Sequence, residues 1–217
     1  MYKEDYFRVP DGFIVFISGV PGVGKTTTSY ELLRRCKEFR IIEETDLIRE
    51  VLRGYNAYLG SQFPQLSSEI GEKIKITDHT KLLSLSEAKQ QCEIMLSSFE
   101  YIVVRQQRKG IPSIINGVHV IPEILNGLAN NHNIIYINLY VNSEQELYKR
   151  LVNRNPQSYM LEHIPLIFKT NVDLYCSTTN LTNDTPYLFN NIDITNMSVD
   201  ETLSEIIKLI YCRTTLD

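Results

Sequence analysis

The eight residues from Gly19 to Thr26 read GVPGVGKT, a full match to the phosphate-binding pattern GxxxxGK[ST], and they follow closely on the apolar run Phe13-Ile14-Val15-Phe16-Ile17. This loop constrains the fold more than any other feature of the chain. It has to join a buried strand to the first turn of a helix, because only then do a nest of backbone N–H groups and the positive end of the helix dipole converge on one anion. In that arrangement Gly19, Val20, Pro21, Gly22, Val23 and Gly24 form the cradle, continued by Thr27 in the first helical turn. Lys25 reaches the β- and γ-phosphates, and the Thr26 hydroxyl is the candidate ligand for Mg²⁺. A glycine-rich turn without a ligand has no need of Lys-Thr after its last glycine.

The chain has 217 residues, enough for one well-cored α/β unit, so a single domain spanning residues 1–217 is expected. A net charge of −4 provides no basic field for nucleic acid or an acidic membrane surface, and neither is expected as a partner. Cys36, Cys92, Cys176 and Cys212 show no CxxC spacing, which argues against a zinc site or a disulfide framework; all four are expected as buried, reduced thiols. No apolar leader opens the sequence and no uncharged stretch approaches about 18 residues, so a soluble cytoplasmic protein is expected. The oligomeric state is left open.

Strand-like runs at 13–18, 40–43, 111–116, 134–141 and 186–189 alternate with helical patterns, which predicts an α/β fold: a parallel sheet with helices on both faces. Apolar spacings of three and four predict a long helix over 86–109, with Ala88, Cys92, Met95, Phe99, Ile102 and Gln106 inward. Ser143 with Glu146, and Ser198 with Glu201, predict capping boxes; the second helix should bury Val199, Leu203, Ile206 and Ile210. Residues 55–85 hold Gly60, Pro64 and Gly71 without a sustained period and are expected as an insertion.

Asp46, Arg49 and Arg53 fall on one helical stripe just after the second strand. At the carboxyl end of a parallel strand that stripe faces the ligand crevice, where Asp46 can accept a proton from a hydroxyl and the arginines can grip an anion. Otherwise Asp46 only caps its helix. Arg150 and Arg154 are spaced one turn apart ahead of Asn155-Pro156, the pattern of a lid over 143–160 that brings positive charge to a γ-phosphate; the plainer alternative is a solvated face. The third strand ends Asn116-Gly117-Val118-His119, with an amide where many such enzymes carry an acidic group. Metal handling therefore falls on Thr26, nucleotide oxygens, water, and Asp46 or Glu44. His119 either touches substrate or finishes the turn.

The order GVPGVGKTT, TDLIREVLR, YIVVRQQRKG, PSIINGVHVIPEIL and ELYKRLVNRN resembles the 2-phosphoglycerate kinase family of P-loop kinases, from about Phe13 to Ile210. The resemblance implies a P-loop NTPase fold of the five-stranded nucleoside-kinase type, with a helical insertion and long helix over 55–110 on the acceptor side and a short lid. It implies ATP as co-substrate with Mg²⁺, and a small hydroxyl compound already carrying an anionic group as acceptor. By the same likeness Lys25 and Thr26 fall on the ATP and Mg²⁺ positions, Asp46 and Arg49 on the acceptor-side motif, and Arg150 and Arg154 on the lid pair; Arg53, Asn116, Gly117 and His119 complete the candidate acceptor site. The family usually reads EGVH where this chain reads NGVH. No nucleotide-sensing domain is expected ahead of Phe13. Two other functions share these motifs. One is a nucleoside or nucleotide kinase, with Tyr55, Tyr58 and Phe63 either stacking on a base or filling the insertion's own core. The other is a nucleotide-binding regulatory module without transfer.

Overall fold

The computed structural model describes residues 8–78, 84–130, 133–184 and 187–215. Its five strands are β1 (Ile14–Ser18), β2 (Ile41–Glu44), β3 (Ser113–Asn116), β4 (Ile134–Tyr140) and β5 (Phe189–Asp193). They form one sheet in the order β2-β3-β1-β4-β5 with every pairing parallel, so β1 and its loop lie at the centre. The helices are α1 (Lys25–Arg35), α2 (Thr45–Gln62), α3 (Ser67–Ile76), α4 (Leu85–Arg108), α5 (Pro122–Leu125), α6 (Glu144–Arg154), α7 (Ile164–Asp184) and α8 (Val199–Thr214). This is the five-stranded α/β architecture with helices on both faces that the alternation predicts.

The central strands are covered on both sides and therefore read as continuous apolar runs. Val15, Ile17, Ile135, Ile137 and Leu139 pack with Leu32 of α1, Leu147 of α6, and Leu203, Ile206 and Ile210 of α8. Ile14, Phe16, Ile115, Tyr136 and Phe189 face Cys92, Met95 and Phe99 of α4, together with Leu125 and Leu174. Phe16, Tyr136 and Phe189 stack in series across β1, β4 and β5, with ring centroids 4.7 and 4.8 Å apart. The fully buried Tyr136 hydroxyl is satisfied by donating to the Leu125 carbonyl at 2.8 Å.

Several expectations are corrected. The last strand begins at Phe189 rather than 186, which lies outside the described residues, and continues through Asn190-Asn191-Ile192-Asp193. Those amides survive in a strand because they are bonded. Asn190 donates to the Tyr187 carbonyl, and Asn191 donates to the Tyr175 carbonyl and Thr179 while accepting from Asn138 at 2.7 Å. The described residues of 55–85 are largely helical, as the resemblance implies although the pattern there shows no sustained period: α2 runs through Gly54 and Gly60 to Gln62, and α3 follows after a short 3₁₀ turn. Each of these helical glycines costs roughly 1 kcal/mol relative to Ala. The long helix has its own complete capping box, Ser84 with Glu87, and buries Val103, whereas Ile102 is only half-buried.

The box at Ser198 and Glu201 forms in full, but Val199 is exposed. At Ser143 only half of the box forms: the hydroxyl accepts from the Glu146 amide, while the Glu146 carboxylate turns to Arg150. Cys36 and Cys92 are buried, Cys212 is half-buried and Cys176 is exposed; all four are free thiols.

Candidate active site

Three ends of secondary structure meet above the carboxyl edge of the sheet. The first is the loop after β1. Gly19, at φ 134°, passes so close to β4 that a Cβ would stand 2.5 Å from the Leu139 carbonyl oxygen. Gly24, at φ 87°, caps α1 from the left-handed region with no side chain to fill the open amides, and the first turn carries no acidic residue. An N-terminus left this way is a cradle for a phosphate chain. Thr26 and Thr27 stand exposed on its rim. Lys25 folds back on the loop, its Nζ donating to the Val20 carbonyl at 2.9 Å. Burial lowers the Lys25 pKa to about 8, against the raising influence of Asp46 and helped by Arg154. Carboxylate, ammonium and guanidinium therefore lie within electrostatic reach of one another.

The second end is the start of α2. Asp46 is exposed in its first turn, 3.5 Å from Arg49 Nη1 and 3.8 Å from His119 Nδ1. Arg49 is 5% exposed, and its Nε and Nη2 both donate to Glu50 Oε1, at 3.2 and 2.8 Å. Its Nη1 is buried with no hydrogen-bond acceptor. Arg53, the more accessible of the two, also leans on Glu50. Arg49 is thus a charge-balancing strut beside Asp46 with one donor to spare, rather than the open fork that the stripe suggests.

Beside this helix start, Glu44 and Asn116 are register partners at the ends of β2 and β3. Strand alternation puts both on the face of Ile42 and Ile114, where α1 packs. The Glu44 side chain makes no capping bond, and the buried Asn116 Nδ2 has no acceptor. The carboxylate absent from β3 is matched by one on the neighbouring strand. No cluster of three or more metal-ligating His, Cys, Asp or Glu exists among the described residues.

The third end is α6, which lies directly on the loop: a Cβ on Gly22 would meet Leu151 at 3.0 Å and Leu147 at 3.3 Å. This seating brings Arg154, at the helix terminus, toward Lys25. Arg150 does not point the same way. Its Nε donates to Glu146 at 2.9 Å and its Nη2 to the Ile194 carbonyl at 2.8 Å, tying α6 to the loop after β5. The expected lid pair is therefore split between one tie and one arm. Residues 155–163, which take in the end of the expected lid, form a turn with Asn155 Oδ1 accepting from the Gln157 amide, then a 3₁₀ turn capped by Ser158.

Two further expectations change. Tyr55 and Tyr58 are exposed and stack on each other at 6.5 Å, and Phe63 is also exposed, so none fills an insertion core. Nine residues at 3.6 per turn put Tyr55 roughly 180° around α2 from Asp46, away from the crevice. His119 is fully buried, and both ring nitrogens are engaged, Nδ1 with Thr45 Oγ1 at 2.8 Å and Nε2 with Gln91 Oε1 at 2.9 Å. It offers no free polar atom to a substrate. Burial pushes its pKa down to about 4, with Arg49 and Lys25 lowering and Asp46 raising it, so the ring is neutral near pH 7.

Gly117 makes this packing possible, because a Cβ there would fall 1.7 Å from Thr45 Oγ1. Gly117→Ala is accordingly expected to destabilise the protein by more than about 2 kcal/mol, read as a lowered denaturant midpoint.

The profile of the AAA domain family matches residues 15–163. A 2-phosphoglycerate kinase of Methanococcus vannielii is 27% identical over 213 residues, covering 92% of this chain and 64% of that protein. The 2-phosphoglycerate kinase of Pyrococcus horikoshii is 26% identical, covering 95% and 66%. The chain thus spans somewhat under two thirds of the length of these relatives. Among solved structures, a gluconokinase from Sinorhizobium meliloti 1021 superposes with a TM-score of 0.51 at 14% identity, covering 95% of this chain and 94% of that one. A protein from Eubacterium ventriosum superposes equally well at 16% identity, covering 92% and 98%. No helix among the described residues is long and apolar enough to cross a membrane. With a central phosphate-binding loop, the strand order β2-β3-β1-β4-β5 and a family match over more than half its length, the chain belongs to the AAA domain family of P-loop proteins, and nine-tenths of it is similar to proteins named 2-phosphoglycerate kinase.

Proposed function

We propose that this protein is a small-molecule kinase, transferring the γ-phosphoryl group of ATP to the hydroxyl of a small anionic compound, with 2-phosphoglycerate as the first acceptor to test. The observation that carries this reading is the exposed Asp46 carboxylate, placed at a helix start within electrostatic reach of the loop lysine and backed by a buried arginine. A bare nucleotide-binding module has no use for a carboxylate there, whereas a transferase needs an acceptor for the proton of the attacking hydroxyl.

In this reading the amides of residues 22–27 hold the phosphate chain. Lys25 leaves the Val20 carbonyl for the β- and γ-phosphates, and Arg154 adds charge over the transferring group. Asp46 orients the acceptor hydroxyl and takes its proton as the new P–O bond forms and the bond to ADP breaks. Arg53 meets the acceptor's anionic group, while the buried Arg49 balances the charge of Asp46 beside it. The oxygen donors fit Mg²⁺: Thr26 and Glu44 would hold it, and when bound it neutralises phosphate charge. The names of the relatives support the acceptor class; the acceptor itself rests on the assay.

The test is ADP formation with MgATP and a panel of 2- and 3-phosphoglycerate, sugar phosphates and nucleosides. Acceptor-dependent turnover by the wild type that disappears in Lys25→Met supports the kinase. Tight MgATP binding with no acceptor-dependent turnover across the panel overturns it in favour of a regulatory module.

A further inference from the structure

Thr45 opens α2 immediately before Asp46 and is completely buried. Around it the donors and acceptors can be assigned without ambiguity. The Gln91 amide nitrogen donates to two backbone carbonyls at the end of α3, Ile76 at 2.7 Å and Asp78 at 3.1 Å. Carbonyls accept only, so the NH₂ end of Gln91 must face them and its Oε1 must face His119. That oxygen requires a hydrogen on His119 Nε2, and a neutral ring then has its lone pair on Nδ1. The lone pair accepts the Thr45 hydroxyl at 2.8 Å. The order Thr45 O–H to His119 Nδ1, His119 Nε2–H to Gln91 Oε1, and Gln91 N–H to the α3 carbonyls is therefore fixed in direction from end to end.

All three side chains are fully buried, and Gly117 is bare where Thr45 Oγ1 sits. A polar chain of this kind is costly unless every member is satisfied, and here each link is. It connects the helix start that presents Asp46 to the second turn of α4 and, through Gln91, to the carboxyl end of α3.

We infer that Thr45, His119 and Gln91 form a positioning relay for Asp46, locking the first turn of α2 to the α3–α4 segment so that the carboxylate's orientation depends on the docking of that segment. None of the three touches the reacting atoms. The inference rests on the proposed role of Asp46 and assigns the positioning of that carboxylate to buried side chains. In the relay, loss of the Thr45 hydroxyl frees the helix start and misdirects Asp46 without disturbing the phosphate cradle.

The test uses the full chain, MgATP and 2-phosphoglycerate, or whichever panel member the wild type accepts. Thr45→Val, equal in shape but without the hydroxyl, is expected to lower kcat at least tenfold with KM for MgATP unchanged within about twofold. Thr45→Ser, which restores the hydroxyl, is expected to return kcat to within about threefold of wild type. His119→Asn, whose carbonyl can stand in for Nδ1, should retain more activity than His119→Gln, which keeps only the donor to Gln91.

Independently of variant folding, nitrogen-15 NMR of labelled histidine in the wild type should show His119 protonated on Nε2 alone at neutral pH. A ring protonated on Nδ1, or Thr45→Val with full kcat while Asp46→Asn is crippled, overturns the relay. If Asp46→Asn is itself fully active, the proposed base fails, and the relay loses the residue it is said to position.

Discussion

Lys25→Met is expected to lower the rate of phosphoryl transfer about 10²–10³-fold while making the unliganded protein more stable. Both effects arise from the same ammonium. In the folded chain it is disfavoured, its pKa falling from 10.5 to about 8 chiefly through burial. Between those values the unfolded chain binds more protons than the native one, so the lysine's contribution to stability rises with pH across about 8 to 10.5. At pH 7 the whole penalty is present. Removing the charge should therefore stabilise by on the order of 1–3 kcal/mol at pH 7, with the gain shrinking as pH approaches 10. Thermal unfolding of wild type and variant across that range, without nucleotide, measures it. A cradle kept at a stability cost is what a ligand site requires and what a structural turn does not. Lower stability of Lys25→Met at neutral pH would contradict the electrostatic picture of the loop.

Asp46→Asn is expected to lower kcat by about 10²–10⁴-fold, the usual contribution of a positioned general base, with MgATP binding retained. The isosteric amide keeps the helix start but cannot accept the proton. A second signature accompanies the first. Asp46 raises the Lys25 pKa, so its loss should move the alkaline limit of MgATP binding to lower pH. Calorimetric titration of MgATP as a function of pH, alongside single-turnover kinetics, separates these effects from general damage. A parallel fall in nucleotide affinity and rate at all pH values would mean that Asp46 supports the loop rather than the acceptor.

Much of this architecture is legible in the amino-acid order because its signals are local. The loop fixes a strand before it and a helix after it, and buried parallel strands announce themselves as isoleucine-rich runs. Signals fail where partners are remote. Asn190 and Asn191 look unlike strand residues until the carbonyls of Tyr187 and Tyr175 are seen beside them. Arg150 and Arg154 have identical spacing, and only the Ile194 carbonyl tells them apart. His119 and Thr45 lie 74 positions apart, and no periodicity joins them. One clue was available: Gln91 occupies the inward face of α4 between Ala88 and Cys92, and a polar side chain inside an apolar stripe demands a buried partner. Glu44 is similar, since its relation to Asn116 follows from register alone.

The contact between Gly22 and the leucines of α6 bears on how such proteins can be recombined. Because the loop has no Cβ at this point, the helix carrying Arg154 settles its leucines against bare backbone, and a side chain at position 22 would press on Leu151 and Leu147 and require them to give way. Loop and helix are thus fitted to each other despite the hundred-odd residues between them. A chimera that borrows either one keeps this fit only where glycine still meets leucine at the seam.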